Sequence, residues 1–177
     1  MGHSVRIVVG SRGALEWLAT RWVKARVCDL RLGYAGMPLT DELADDINDL
    51  LQKPTRIVPF ELLSESHHEV LEQSSQHAPL AYLETKYFGG TGSQCAVMFE
   101  GGRVTLGPLK TYTPWDEKLL KYGQVPSREG AINAVLRAMG VWRRPGSDEF
   151  ETLELGRYRS NDALLRQAQR RDGPKNH

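Results

Sequence analysis

The chain has 177 residues, 40% hydrophobic and 25% charged, with a formal net charge of +1. Such a composition excludes a disordered chain, closes a core without disulfide or metal staples, and lacks the ~18–20-residue apolar run that a membrane helix needs. The charge gives no bulk support for nucleic-acid binding, because only residues 163–177 are clearly biased, with Arg166, Arg170, Arg171 and Lys175 against Asp172.

Val5 to Val9 reads as a strand ending at Gly10, and Ser11 caps a helix with Leu15, Leu18, Ala19 and Trp22 at i, i+3, i+4 and i+7. Trp17 and Trp22 lie about 140° apart on that helix, at ~100° per residue. Trp17 therefore packs at a margin or faces a partner, and marginal packing is the expectation. Arg26 to Leu32 predicts a second strand, with Gly33 and Gly36 bracketing a turn. Thr40 caps the next helix, Asp41 and Glu42 match its dipole, Leu43, Ile47, Leu50 and Leu51 form its buried face, and Pro54 stops it. A thin helix follows from Ser66, whose spacing to Glu69 matches a capping box, and it is expected on the surface.

The centre changes period. Leu80 to Phe88, Gln94 to Phe99 and Arg103 to Leu106 read as three strands joined by glycine turns, an antiparallel meander. Residues 108–126 fit a short helix or an aromatic-rich loop. Ser127 is read as the cap of a helix burying Ile132, Val135, Leu136 and Met139, closed by a left-handed Gly140 with Val141 behind it. Phe150, Leu153 and Leu155 return to the core, and Asp162 to Arg171 forms a last helix. The expected architecture is α/β of mixed α+β type. A central sheet contains the meander and the first strand, and helices at 12–25, 40–52 and 127–139 cover it. Residues 1–162 form one globular domain, and 163–177 a basic C-terminal helix or tail.

The chemistry-bearing residues form no recognisable catalytic set. Cys28 and Cys95 sit in apolar strand-like runs and read as small buried hydrophobes. His67, His68 and His77 lack the ligand number and spacing of a zinc site and read as solvated helix polarity. No metal or cofactor is expected. Ser93 has no nucleophile-elbow context, and the carboxylate pairs Asp45-Asp46 and Asp148-Glu149 read as solvated faces or caps. Side chains assembled in space can still form a triad that no linear pattern reveals.

Two segments stand out. In Tyr87-Phe88-Gly89-Gly90-Thr91-Gly92-Ser93-Gln94, three glycines in four residues permit positive φ and close backbone approach. A hairpin turn over two packed aromatics explains them, as does a loop that binds a partner or an anion. A phosphate loop would need a following helix and a lysine in the Walker pattern. In Gly156-Arg157-Tyr158-Arg159-Ser160-Asn161, two arginines flank a stackable ring, residue types enriched at binding hot spots. The competing account has Asp148, Glu149, Glu151 and Glu154 neutralising the arginines while Asn161 caps the last helix.

The opening strand–helix, the Pro38-Leu39-Thr40 helix start, the stretch from Tyr82 to Gln94, Ile132-Asn133-Ala134-Val135-Leu136, Asp148-Glu149-Phe150 and Leu155 to Asn161 carry a resemblance over most of residues 4–162. The chain resembles small bacterial immunity-like proteins found beside secreted polymorphic toxins. The resemblance implies a non-catalytic, cytoplasmic protein-binding module whose partner is a cognate toxin, and it assigns no active-site residue. The near-neutral charge departs from the acidic character of immunity proteins that neutralise nucleases. The partner-binding residues are then Tyr87, Phe88, Gly89, Gly90, Gly92, Gln94, Arg157, Tyr158 and Arg159. The alternatives are a small hydrolase or transferase using residues 89–94 as an anion cradle, and nucleic-acid binding through the basic C-terminus. The residues preceding the first strand show no basic-then-apolar leader pattern, and no membrane partner is expected.

Overall fold

The structure, a computed structural model, describes residues 2–113 and 129–171. The chain is mixed α+β: a six-stranded antiparallel sheet with helices on both faces. In chain order the elements are β1 (His3–Ser11), α1 (Arg12–Ala19), β2 (Cys28–Asp29), β3 (Tyr34–Pro38), α2 (Asp41–Leu51), α3 (Glu65–Ser74), β4 (Leu80–Phe88), β5 (Thr91–Glu100), β6 (Arg103–Thr113), α4 (Ala131–Ala138), α5 (Glu149–Thr152) and α6 (Asn161–Arg171). The strand order is β2-β3-β1-β4-β5-β6.

Strand alternation divides the core in two. Val8, Met37, Leu80, Tyr82, Val97 and Phe99 face α1, α2 and α3, where Leu15, Leu18, Leu43, Ile47 and Leu71 meet them. Val5, Ile7, Val9, Leu83, Ala96 and Met98 face the other way, against Ile132, Val135 and Leu136 of α4 and against Leu153, Leu155 and Leu164. Because β1 is buried on both faces, Ile7, Val8 and Val9 form an unbroken apolar run, the pattern of a central strand. Leu164 places the first turns of α6 in the second core.

Several expectations change. The first helix ends at Ala19, where Arg21 and Trp22 N–H groups switch to the carbonyls of Leu18 and Ala19 in tight i→i+3 turns, instead of running to residue 25. Trp17 is half-buried at the margin, between Arg21, whose guanidinium lies 4.2 Å from the ring centroid, and His77. The second strand shrinks to Cys28–Asp29, and β3 occupies residues read as a turn. The turn is Leu32-Gly33, both left-handed, whereas Gly36 lies inside β3 because a Cβ there would meet Ile7 Cδ1 at 2.4 Å. Thr40 caps α2 as expected, but Leu50 is 68% exposed. Gly140 closes α4 with φ 93° and Val141 buried behind it.

The helix read from Ser127 begins at Ala131, with Gly130 in the N-cap position and no local side-chain cap. Ser127 and the aromatic stretch 115–122 lie outside the described residues. Sheet residues supply the missing cap: the Ala131 N–H donates to Thr111 Oγ1 and the Ile132 N–H to Gln94 Oε1, both at 3.1 Å. A Cβ on Gly130 would approach Gln94 Oε1 to 2.5 Å, so the close approach that allows this capping depends on glycine.

Candidate binding surface at the hairpin end

β4 and β5 pair without interruption out to Phe88↔Thr91, leaving Gly89 and Gly90 as a two-residue turn with φ 59° and 84°. Two consecutive left-handed residues match the twist of the flanking strands, and glycine reaches that conformation without strain. The loop leads into a strand, so no helical amides point from it. A tight closed hairpin opposes the anion-cradle alternative. Replacing Gly89 by Asn, which tolerates the left-handed region and meets open space here, is expected to leave stability within about 0.5 kcal/mol of the parent or raise it. A larger loss in urea unfolding would show that the turn needs glycine for something besides geometry.

The side chains around this turn divide by role. Tyr87 is half-buried, and its hydroxyl accepts from Gln94 Nε2 at 3.0 Å. Gln94 thus ties β4, β5 and the start of α4 into one unit. Gly92 sits where a Cβ would lie 2.1 Å from the Lys86 carbonyl oxygen, so its role is steric. Of the two readings of these aromatics, packing beneath the turn describes Tyr87 but not Phe88, which is 78% exposed because alternation turns it to the face opposite Tyr87, beyond the reach of the helices.

Arg157 and Arg159 are exposed, whereas Tyr158 is half-buried against the second core. Of the four acids weighed as partners, Glu154 meets Arg157 at 2.6 Å and Arg31 at 2.7 Å, and the two guanidiniums draw its carboxyl down to about 2. Asp148 and Glu149 are engaged elsewhere. Asp148 caps α5 and accepts from Asn133, and Glu149 is buried against Arg137 Nε at 2.7 Å, which corrects its reading as a solvated carboxylate. Asn161 does not cap α6 either. Its Oδ1 accepts from the Arg6 N–H and its Nδ2 donates to the Leu39 carbonyl, both at 2.9 Å, so the amide bridges two backbone groups where β1 and β3 part. Ser160 takes the cap position, its Oγ accepting from the Ala163 N–H.

The two standout segments meet at one end of the sheet. Ser160 bridges Ser4 in parallel, Ser4 pairs with Lys86, Lys86 with Ser93, and Ser93 with Tyr112. This row spans four strand spacings, roughly 19 Å at ~4.8 Å each. One step further along the sheet, Glu84 pairs with Cys95, and Cys95 with Lys110. Lys86, Lys110 and Tyr112 were not singled out from the sequence. The available signal was the i, i+2 alternation that puts Lys86 with Phe88, and Lys110 with Tyr112, but pairing across β5 is invisible without the register.

Beside this row, Glu84 is buried. Its carboxylate accepts from the Glu61 N–H at 2.8 Å and from the Tyr82 hydroxyl at 3.0 Å, and desolvation raises its pKa above the ordinary value. Cys95 is also buried, its thiol pushed up to about 12 by desolvation, with Sγ 3.6 Å from the Pro59 oxygen. Both groups hold the 59–61 segment against the sheet.

Of the histidines, His67 departs from the solvated reading and is buried, whereas His68 is half-buried with its ring edge-on to Phe99, and His77 is exposed with its ring tilted against Trp17. Among the described residues no group of three His, Cys, Asp or Glu side chains is arranged to hold a metal ion, and no helix is long and apolar enough to cross a membrane. An open groove of about 560 Å³ between α4 and α5 is lined by Glu129, Asn133, Arg137, Arg143, Asp148 and Glu149. Comparison of the chain with protein-family profiles, with curated proteins and with solved structures gives no match.

Proposed function

We propose that the protein is a non-catalytic, cytoplasmic protein-binding module, an immunity-like inhibitor that covers the active surface of a bacterial toxin. The observation that carries this reading is the display of Phe88, 78% exposed at the tip of a tight hairpin, on the sheet end where Ser160, next to the exposed Arg159, joins Ser4. An aromatic with few rotamers and arginines with planar donors are the residue types that dominate interface energetics. A tip tied by Gln94 to the start of α4 loses little entropy on docking. Cys28 and Cys95, both buried free thiols, fit a reducing compartment. The resemblance stated above supplies the partner class.

The test is coexpression with the product of the adjacent gene. A stable complex and rescue of growth are expected. Phe88→Ala combined with Arg159→Ala should weaken the complex about 100-fold, which is ~2.7 kcal/mol, at an unchanged unfolding midpoint. If the two chains neither co-purify nor affect growth together, the reading is wrong. A bound small molecule in the purified protein would then turn attention to the hydrolase or transferase alternative.

A further inference from the structure

The groove between α4 and α5 lies on the face of the sheet opposite Phe88. Glu149 lines this space of about 560 Å³, and its side chain is 2% exposed. Its Oε1 accepts from Arg137 Nε at 2.7 Å, whereas Oε2 has no hydrogen-bond partner. A buried acceptor without a donor carries a desolvation cost that a bound donor relieves. Burial pushes the carboxyl up, but hydrogen bonds from Arg137 and from its own backbone N–H outweigh this and hold it below its ordinary range, hence ionised.

The surrounding charge points to the kind of donor. Among the described residues that line the groove, Glu129, Asp148 and Glu149 bring three carboxylates against the two guanidiniums of Arg137 and Arg143. Arg137 is already divided between Glu149 and Glu129. Asp148 accepts from the Glu151 N–H on Oδ1 and from Asn133 Nδ2 on Oδ2, and each oxygen keeps a second lone pair. Because Arg137 holds Oε1, a second guanidinium cannot close a two-pronged pair on Glu149. A compact ammonium on a narrow alkyl stem needs only Oε2.

We propose that this groove is a binding site for a primary alkylammonium group, which donates to Glu149 Oε2 at the floor and to Asp148 beside it. The Arg137 side chain, 52% exposed, leans aside to admit the ammonium while its Nε keeps Oε1. The group belongs to a free amine or to a lysine side chain of a protein, and the recognising chemistry is the same. The site does not depend on the protein-binding reading.

The experiment titrates propylammonium into the isotope-labelled full chain at low salt and follows the backbone amides of Asn133, Glu149 and Phe150. Saturable shifts are expected at roughly millimolar concentration, at least ~10-fold below that needed for 1-propanol, because the bond is charge-assisted. Glu149→Gln should weaken the binding about 10-fold. Arg143→Gln removes a like charge from the lining and leaves the Arg137–Glu149 pair intact, so it should tighten binding about 2- to 5-fold even if the Glu149 variant fails to fold. Binding of a lysine residue capped by acetyl and methylamide groups, if ~10-fold tighter than propylammonium, assigns the site to a protein's lysine, and equal or weaker binding assigns it to a free amine. Propylammonium that gives no saturable shift, or one matched by 1-propanol, overturns the inference. Inorganic phosphate saturating the same amides ahead of the amine overturns it too, by assigning the groove to Arg137 and Arg143.

Discussion

Gly92→Ala is expected to destabilise the protein by about 3 kcal/mol or more, the upper range for overpacking. A Cβ at this position lies 2.1 Å from the Lys86 carbonyl oxygen and 2.7 Å from Tyr87 Cα. Both are backbone atoms of the paired strand, so no rotamer change relieves the clash. The β4–β5 register must open between Lys86 and Tyr87, and the Gln94 links to Tyr87 and to α4 go with it. Urea unfolding of the variant against Gly89→Asn checks this directly, since the two glycines are three residues apart and only one is sterically enclosed. If Gly92→Ala unfolds at the parent's midpoint, the close approach of the strands is not a constraint, and a binding role for Gly92 regains force.

His67→Ala is expected to cost about 2–4 kcal/mol, the sum of a buried donor left unpaired and a side chain's volume lost. Ser64 caps α3, and His67 completes the reciprocal arrangement: its Nδ1 accepts from the Ser64 N–H at 3.1 Å, and its N–H reaches back to Ser64 Oγ. Nε2 lies 3.0 Å from the Ala44 carbonyl oxygen, which fits the neutral tautomer with the proton on Nε2 and joins α3 to α2. Burial lowers the His67 pKa below its ordinary 6.5. The unfolded chain therefore takes up a proton near pH 6.5 that the native imidazole refuses. This contribution to stability is complete above pH 6.5 and is lost as pH falls from there toward the native value. The His67→Ala variant should show a shallower loss of stability between pH 7.5 and 5.5 than the parent. His3, also lowered by burial, adds a slope of the same sign in both proteins, and Glu84, raised by burial, adds the opposite sign at lower pH. The difference between variant and parent isolates His67. Equal slopes would mean that His67 is not buried as a neutral ring.

His67 also shows how local reading fails. The Ser66–Glu69 spacing matches a capping box, but the box is set two residues earlier, with histidine in the place usually held by Glu or Gln. Ser66 Oγ instead accepts from the Lys53 N–H. What displaced the frame is the docking of α3 on α2, seen in Ser64 Oγ donating to Asn48 and His67 reaching Ala44. No window along the chain contains both helices.

Taken alone, the sequence determined the elements whose signals are local. Alternation and paired glycines marked β4, β5 and β6. Thr40 with its following acids marked α2, and Gly140 with Val141 marked the end of α4. From these followed the mixed α+β class, because a side-chain period of two or 3.6 already states which face seeks a core. Tertiary structure alone decided β3, whose Gly36 read as the end of a turn and whose Pro38 read as part of a helix start until Ile7 is placed against them. It also decided the start of α4, whose cap comes from Thr111 and Gln94. It decided as well that Phe88, Lys86, Lys110 and Arg159 share one end of the sheet. That last fact depends on cross-strand register, a relation between residues as far apart as Ser4 and Ser160. Register is settled when every strand buries its apolar face at once, and no single segment contains that condition.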